Sequence, residues 1–176
     1  MIVTGIIETP IGKMVAGSVK EGICLLEFTD RKMLNTEYKI LARYLKDEIS
    51  EGYSIHIENI TSELEEYFEG NRKTFSVPLV FAGTDFQKLV WNELMRIPFG
   101  ATRSYTRQAE AIGDSSSVRA VANANGMNKI SIVVPCHRVI GENGHLTGYG
   151  GGLWRKKWLL DHEKKFSGQP VSLTFF

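Results

Sequence analysis

The sequence predicts an α+β protein with a small N-terminal α/β domain over residues 1–82 and a mostly helical C-terminal domain over residues 83–168. The first third of the chain alternates apolar and polar side chains with the period of two that is typical of strands, whereas the chain after Ala82-Gly83 shows mostly helical spacing. Hydrophobic residues make up 43% of the chain and charged residues 23%, which predicts packed cores and excludes an intrinsically disordered chain. Residues 169–176 are expected to form a C-terminal tail whose apolar end packs back on the protein.

The N-terminal domain is expected to combine strands with two helices. Turn signals separate three predicted strands, at Ile2–Ile7, Lys13–Val19 and Ile23–Phe28. Two helices and two further strands complete the prediction, with the helices at Thr36–Ile49 and Thr61–Glu69 and the strands at Ser54–Ile60 and Thr74–Phe81. Thr61 or Ser62 is expected to cap the second helix.

The C-terminal domain is expected to open with a helix that Thr84 caps, because Gln87 completes a capping box. Two short helices, over about 106–112 and 116–125, follow on either side of Gly113, a pattern typical of a helix-turn-helix unit that binds DNA. An ordinary pair of core helices is the alternative. A buried strand over 130–134 and a last helix over 154–165 complete the prediction.

Charge and cysteine content favour an intracellular protein that contacts a polyanion. Residues 1–83 carry 9 Lys and Arg against 13 Asp and Glu, a net −4, whereas residues 84–176 carry 12 against 7, a net +5. A basic half fits contact with nucleic acid, although chance segregation is an equal alternative. We expect no secretion signal, no membrane span and no disulfide between the two cysteines.

Chemistry is expected at Cys136, which a β-branched run delivers beside His137. A free thiol is mostly protonated at neutral pH, so a neighbouring imidazole that takes its proton would make it a nucleophile. A carboxylate on the other ring nitrogen would orient the imidazole, and Glu163 and Glu142 are both candidates. A buried structural cysteine, as we expect for Cys24, is the alternative.

Other chemistries fit the same residues less well. Adjacent Cys and His side chains cannot easily chelate one ion, and no second ligand pair is present in the sequence, so we expect no metal site. Cysteine proteases bring their histidine from elsewhere in the chain. The glycines between Gly141 and Gly152 lack the spacing of a Walker or dinucleotide fingerprint, and would let backbone amides approach a flat ligand.

The segment Pro135–Val139 resembles the active-site signature of the O6-alkylguanine-DNA alkyltransferases, also called methylated-DNA–protein-cysteine methyltransferases. Further matches lie at 83–87, 90–91, 97–100, 104–105, 118–121, 148–153 and 158–163. The resemblance is strong over 84–163 and weaker over 1–83. It implies a ribonuclease-H-like α/β domain followed by a winged helix-turn-helix-like DNA-binding domain.

The resemblance also implies a role for each matching residue. Cys136 would accept the alkyl group, His137 would act as a base through water, and Glu163 rather than Glu142 would orient it. Tyr105 would contact the flipped nucleotide and give the guanine a proton, and Asn128 would tie the active-site segment to the recognition helix. The expected DNA contacts are Arg119, which enters the base stack, with Tyr105, Ala120, Asn123 and Gly126; the expected pocket residues are Val139, Tyr149, Gly150 and Gly151.

The implied function is DNA repair by direct reversal of damage, with no cofactor. The protein would bind double-stranded DNA as a monomer through the minor groove, in the cytoplasm and on the nucleoid of a prokaryote. It would flip out O6-alkylguanine or O4-alkylthymine and transfer the alkyl group irreversibly, once per chain. A non-catalytic lesion-binding protein and a winged-helix transcription regulator are the alternatives, and both leave the Cys136-His137 pair unexplained.

Two positions depart from several relatives. Lys129 follows Asn128 where those relatives have proline, and Gly150 replaces a serine that some relatives use to contact guanine O6. The glycine predicts a roomier pocket that accepts groups larger than methyl.

Overall fold

The N-terminal domain is a four-stranded sheet with a helix on each face. The computed structural model describes residues 1–168, so the expected tail lies outside the described residues. The three predicted strands are present as β1 (Ile2–Thr9), β2 (Gly12–Val19) and β3 (Gly22–Phe28) and form an antiparallel meander, and β4 (Ile49–Glu51) pairs in parallel with β1. Helices α1 (Leu34–Leu45) and α2 (Ile55–Phe68) pack on opposite faces, and Cys24 is buried on the face of α1.

Four predictions for this domain were wrong, and one of them is the cap at Thr61 or Ser62, because both residues lie inside a helix that Ser54 caps. The first helix ends at Leu45 because Lys46 adopts a left-handed backbone with φ of 51°, and Ile49 belongs to β4 instead. Residues 54–60 alternate like a strand but form the start of α2, since Ser54 caps that helix by accepting from the backbone of His56. The predicted strand over 74–81 is reduced to a single bridge between Leu79 and Ile23.

The C-terminal domain is mostly helical, as predicted. Its helices are α3 (Asp85–Leu94), α4 (Tyr105–Ala111), α5 (Val118–Gly126) and α6 (Leu153–Phe166), with a 3-10 turn at Cys136–Arg138 and two short paired strands, β5 (Arg103–Ser104) and β6 (Val139–Ile140). The capping box of Thr84 and Gln87 is present at α3. Helices α4 and α5 form the expected pair, which a reciprocal amide contact between Gln108 and Asn125 locks at 2.7 and 2.9 Å.

The buried run before Cys136 is not a strand. Only Ile130 bridges to Leu26 on the outer edge of β3, and the chain then turns because Ile132 has a φ of 73°. Its residues are nevertheless buried, as the apolar pattern predicted. The same core cluster contains residues of both domains, so the active-site segment is packed directly against the N-terminal sheet.

Candidate active site

Cys136 begins the 3-10 turn, directly after the buried run. Its Sγ accepts a hydrogen bond from Asn128 Nδ2 at 3.2 Å, and the same amide donates to the carbonyl of Val134 at 2.8 Å. Asn128 Oδ1 accepts from the backbone of Ile130 at 2.9 Å. One side chain just beyond α5 therefore clamps the segment that carries the thiol, which is the position expected for Asn128.

Lys129 secures this clamp from the other side. Its buried ammonium donates to the carbonyl of Ala82 at 3.0 Å and lies 4.9 Å from the ring centroid of Trp91. A proline at this position could make neither contact. Lys129 thus adds a link between the clamp and the junction of the two domains.

The carboxylate partner of His137 is Glu163, whereas Glu142 is exposed and is not a hydrogen-bond partner of His137. Glu163 Oε1 lies 2.7 Å from His137 Nε2, and both side chains are 0% exposed. The other ring nitrogen, Nδ1, is buried without a hydrogen-bond partner in the described protein. Burial lowers the pKa of His137, and nearby Arg138 and Lys156 lower it further against the opposing charge of Glu163. The imidazole is therefore neutral at neutral pH, with Nδ1 free to accept a proton.

Glu163 itself is held by three further residues. Arg138 donates from Nε to Oε2 at 2.8 Å and from Nη2 to Oε1 at 2.9 Å. Tyr67, from α2 of the N-terminal domain, donates its hydroxyl to Oε1 at 2.8 Å, and the backbone of Gly100 donates to Oε2 at 3.1 Å. Burial alone would raise the pKa of Glu163, but the contacts with His137 and Arg138 outweigh it and hold the pKa well below its usual range.

The thiol needs such a base. Burial raises the pKa of Cys136, and only part of this rise is offset by the Asn128 hydrogen bond. Cys136 is therefore a thiol, and not a thiolate, in the resting protein.

Cys136 borders a cavity of about 420 Å³ between α5 and the glycine-rich loop. Tyr105, Arg119, Gly126, Tyr149 and Gly150 line this cavity; Tyr149 and Gly150 were expected in the pocket, and the other three were expected as DNA contacts. Gly151 lies on a neighbouring groove instead, and Val139 is fully buried behind the cavity, with its amide donating to the carbonyl of Cys136. Ala120 and Asn123 are exposed on α5 and do not line the cavity.

Tyr105 is anchored at the cavity wall. Its hydroxyl donates to the carbonyl of Thr147 at 2.9 Å, and burial raises its pKa, so it remains a proton donor. Lys156, which the sequence reasoning missed, is fully buried, and its Nζ donates to Thr147 at 3.0 Å and lies 3.5 Å from the Tyr105 hydroxyl. Burial lowers the pKa of Lys156 to about 8. Nothing in the sequence indicated that this charged residue, which lies two positions after the exposed Trp154, would be buried.

Arg31, also missed, enters the cavity from the N-terminal domain. It pairs with buried Glu27 at 2.5 Å and donates to the carbonyl of Gly126 at 2.7 Å. A Cβ atom on Gly150 would lie 2.2 Å from Arg31 Nη1. The space beside Gly150 is therefore filled by the guanidinium, and a roomier pocket does not follow from the glycine alone.

The described residues offer no site for a metal and no membrane span. Within residues 1–168, no three His, Cys, Asp or Glu side chains are arranged to hold a metal ion. None of the helices in that range is long and apolar enough to cross a bilayer.

Comparison with known proteins agrees with this geometry over both domains. Residues 85–165 match the family described as 6-O-methylguanine DNA methyltransferase, DNA binding domain, and residues 2–81 match its ribonuclease-like domain. The chain is 42% identical over 161 residues to a methylated-DNA–protein-cysteine methyltransferase of Methanosarcina acetivorans, which covers 90% of this chain and 96% of the relative. It is 54% identical over 114 residues to the protein of the same name from Mycobacterium tuberculosis, which covers 65% of this chain and 68% of the relative.

Solved structures give the same result. The crystal structure of Mycobacterium tuberculosis OGT in complex with DNA matches with a TM-score of 0.80 and 36% identity, covering 93% of this chain and 94% of that one. The two domains, the cysteine signature and the fold thus agree, and the chain belongs to the 6-O-methylguanine DNA methyltransferase family.

Proposed function

We propose that this protein repairs DNA by transferring the alkyl group of O6-alkylguanine, and of O4-alkylthymine, irreversibly to Cys136. The observation that carries the proposal is a clamped thiol at the wall of a cavity, with a neutral histidine and an ionised, fully buried Glu163 directly behind it. A purely structural cysteine would not need this arrangement of Cys136, His137 and Glu163, which we call the relay.

The reaction begins with proton removal from Cys136. His137 Nδ1 takes the proton through a water, and Glu163 stabilises the resulting imidazolium. The sulfur attacks the alkyl carbon, the carbon–sulfur bond forms, and the carbon–O6 bond breaks with its electron pair moving onto the guanine. The Tyr105 hydroxyl protonates the departing base, and Lys156 is placed to restore that proton. The product is a thioether, which thiol exchange does not reverse, so each chain reacts once.

Access to the buried alkyl group requires the nucleotide to leave the duplex. Arg119 is exposed on α5 at the rim of the cavity and is suited to fill the gap in the base stack. Ala120, Asn123 and Gly126 share the exposed part of this helix, and their small size suits close approach in the minor groove. The carbonyl of Cys136 and the loop residues Tyr149 and Gly150, which line the cavity, would recognise the flipped base, whereas Val139 and Gly151 lie outside it.

The proposal also includes the domain boundaries, the oligomeric state and the location of the protein. We take residues 1–82 as the ribonuclease-H-like domain and 83–168 as the reacting, DNA-binding domain. The protein would act as a monomer on alkylated double-stranded DNA, in the cytoplasm and, in a prokaryote, on the nucleoid. A lesion-binding protein without chemistry and a transcription regulator are not favoured, because neither needs the Cys136–His137–Glu163 arrangement.

Mass spectrometry tests the proposal directly. After incubation with duplex DNA that contains O6-methylguanine, the intact protein should gain one methyl group at Cys136. Cys136→Ser should gain nothing, whereas Cys24→Ala, which removes the other cysteine, should still gain it. DNA binding by the wild-type protein with no gain in mass would refute alkyl transfer.

A further inference from the structure

The N-terminal domain contributes a hydroxyl to the reacting centre. Tyr67 lies at the end of α2, is fully buried, and donates its hydroxyl to Glu163 Oε1 at 2.8 Å. This oxygen also binds His137 Nε2 at 2.7 Å. Within residues 1–168, no other side chain of the N-terminal domain forms a hydrogen bond with Glu163.

The tyrosine is held in a fixed orientation by aromatic packing. Its ring centroid lies 5.3 Å from that of Phe68 and 5.5 Å from that of Phe75 on its own side of the junction. It lies 5.9 Å from Phe99 and 5.2 Å from His162 on the other side. The hydroxyl thus enters the relay from a rigid support rather than from a mobile loop.

We propose that Tyr67 is a positioning residue for alkyl transfer, whose hydroxyl holds the Glu163 carboxylate in place against His137 Nε2. The proposal rests on the proposed function. Oε1 accepts hydrogen bonds from Tyr67, His137 and Arg138, so each donor takes a share of its negative charge. Without the tyrosine, more of that charge acts on His137.

The predicted consequence is a change in pH dependence. Stronger negative charge at Oε1 favours the protonated imidazolium, so the pKa of His137 should rise. Transfer needs neutral His137, and the acidic limb of the rate profile should therefore move to higher pH. The charged or titratable groups around this pair come from several elements: Tyr67, Arg138, Tyr149, Lys156 and His162. Of these groups, only Tyr67 is changed in the test variant.

The experiment measures single-turnover methyl transfer at saturating protein between about pH 5 and pH 9, the range in which a histidine titrates. Tyr67→Phe should shift the acidic midpoint upward by about 0.5–1 pH unit and, at pH values well below the wild-type midpoint, slow transfer by about three- to tenfold. Tyr53→Phe removes a matched hydroxyl that binds Glu58 on the surface, and Phe68→Leu weakens the packing around Tyr67 without removing its hydroxyl. Both controls should keep the wild-type midpoint.

The outcomes separate the two proposals. A Tyr67→Phe profile that superimposes on those of both controls would overturn the positioning role, even if all variants transfer methyl. A loss of rate without a shift, shared with Phe68→Leu, would also overturn it, because it would report packing alone. A wild-type protein that gains no methyl would instead refute the proposed function.

Discussion

Glu163→Gln removes the charge at the centre of the buried relay. The carboxylate is 0% exposed and accepts from His137, from Arg138 twice, from Tyr67 and from Gly100. A glutamine has one oxygen and one NH₂ group, so whichever way it turns, an N–H faces donors. The guanidinium of Arg138 would also remain buried without a full counter-charge.

Both stability and rate should fall. Breaking a buried ion pair by removing one partner costs about 3–5 kcal/mol. In a protein of this size, 1 kcal/mol corresponds to about 2–4 °C in Tm, so we expect a decrease of about 6–20 °C. Loss of the charge that orients and stabilises an imidazole can reduce a rate about 10⁴-fold, and we expect a decrease of about 10²–10⁴-fold here.

The assay follows single-turnover methyl transfer from a duplex at a temperature where the variant is shown to be folded. Glu93→Gln is the matched control, because Glu93 is 8% exposed and pairs with Arg103 at 2.7 Å outside the cavity. It should lose stability while keeping its rate, and both variants should bind undamaged DNA like the wild type. A folded Glu163→Gln protein that transfers methyl within about threefold of the wild-type rate would show that the relay is not used.

Three further changes test other parts of the site. Arg119→Ala should slow repair of duplex DNA about tenfold or more while leaving the reaction with the free base O6-methylguanine unchanged; equal slowing of both would exclude a role in flipping. Gly150→Ser should displace Arg31 and reduce stability by about 1–3 kcal/mol, which denaturant unfolding would measure, and an unchanged midpoint would contradict the packing seen beside Gly150. Burial and the charge of Glu27 raise the pKa of Glu37 to about 7, so stability should fall as pH rises from about 4.5 to 7. Glu37→Gln should reduce that dependence in unfolding measurements across this range, and a full wild-type slope retained by the variant would assign it to other groups.

Local signals in the sequence predicted the parts of the fold that local interactions determine. The three-strand meander and the Thr84 capping box depend on residues within a few positions of each other, and both are present. The start of α2 was missed because residues 54–60 alternate like a strand, while the cap at Ser54 depends on backbone geometry. The run before Cys136 was read as a strand because burial and strand formation give the same apolar pattern.

The residues of the candidate site show the same contrast between features that depend on neighbouring residues and features that depend on distant ones. Cys136 and His137 are adjacent in the chain, so the sequence was enough to identify their motif. It indicated no role for the neighbouring Arg138. Arg138 donates hydrogen bonds to Glu163, 25 residues away, and to the carbonyl of Ile97, and both partners are distant in the sequence. Lys156 gave no signal, because its burial depends on the loop that covers it.

The contribution of the N-terminal domain could not be predicted, because every one of its contacts with the site spans a long stretch of sequence. Tyr67 reaches Glu163 across 96 residues, Arg31 reaches Gly126 across 95, and Glu27 accepts from Ser131 across 104. These contacts support the carboxylate of Glu163, the end of α5 and the segment before Cys136, respectively. Since they support three different parts of the reacting site, the domain should be regarded as part of the site's framework. A C-terminal domain alone would leave Glu163 with one donor fewer and the carbonyl of Gly126 without its guanidinium partner.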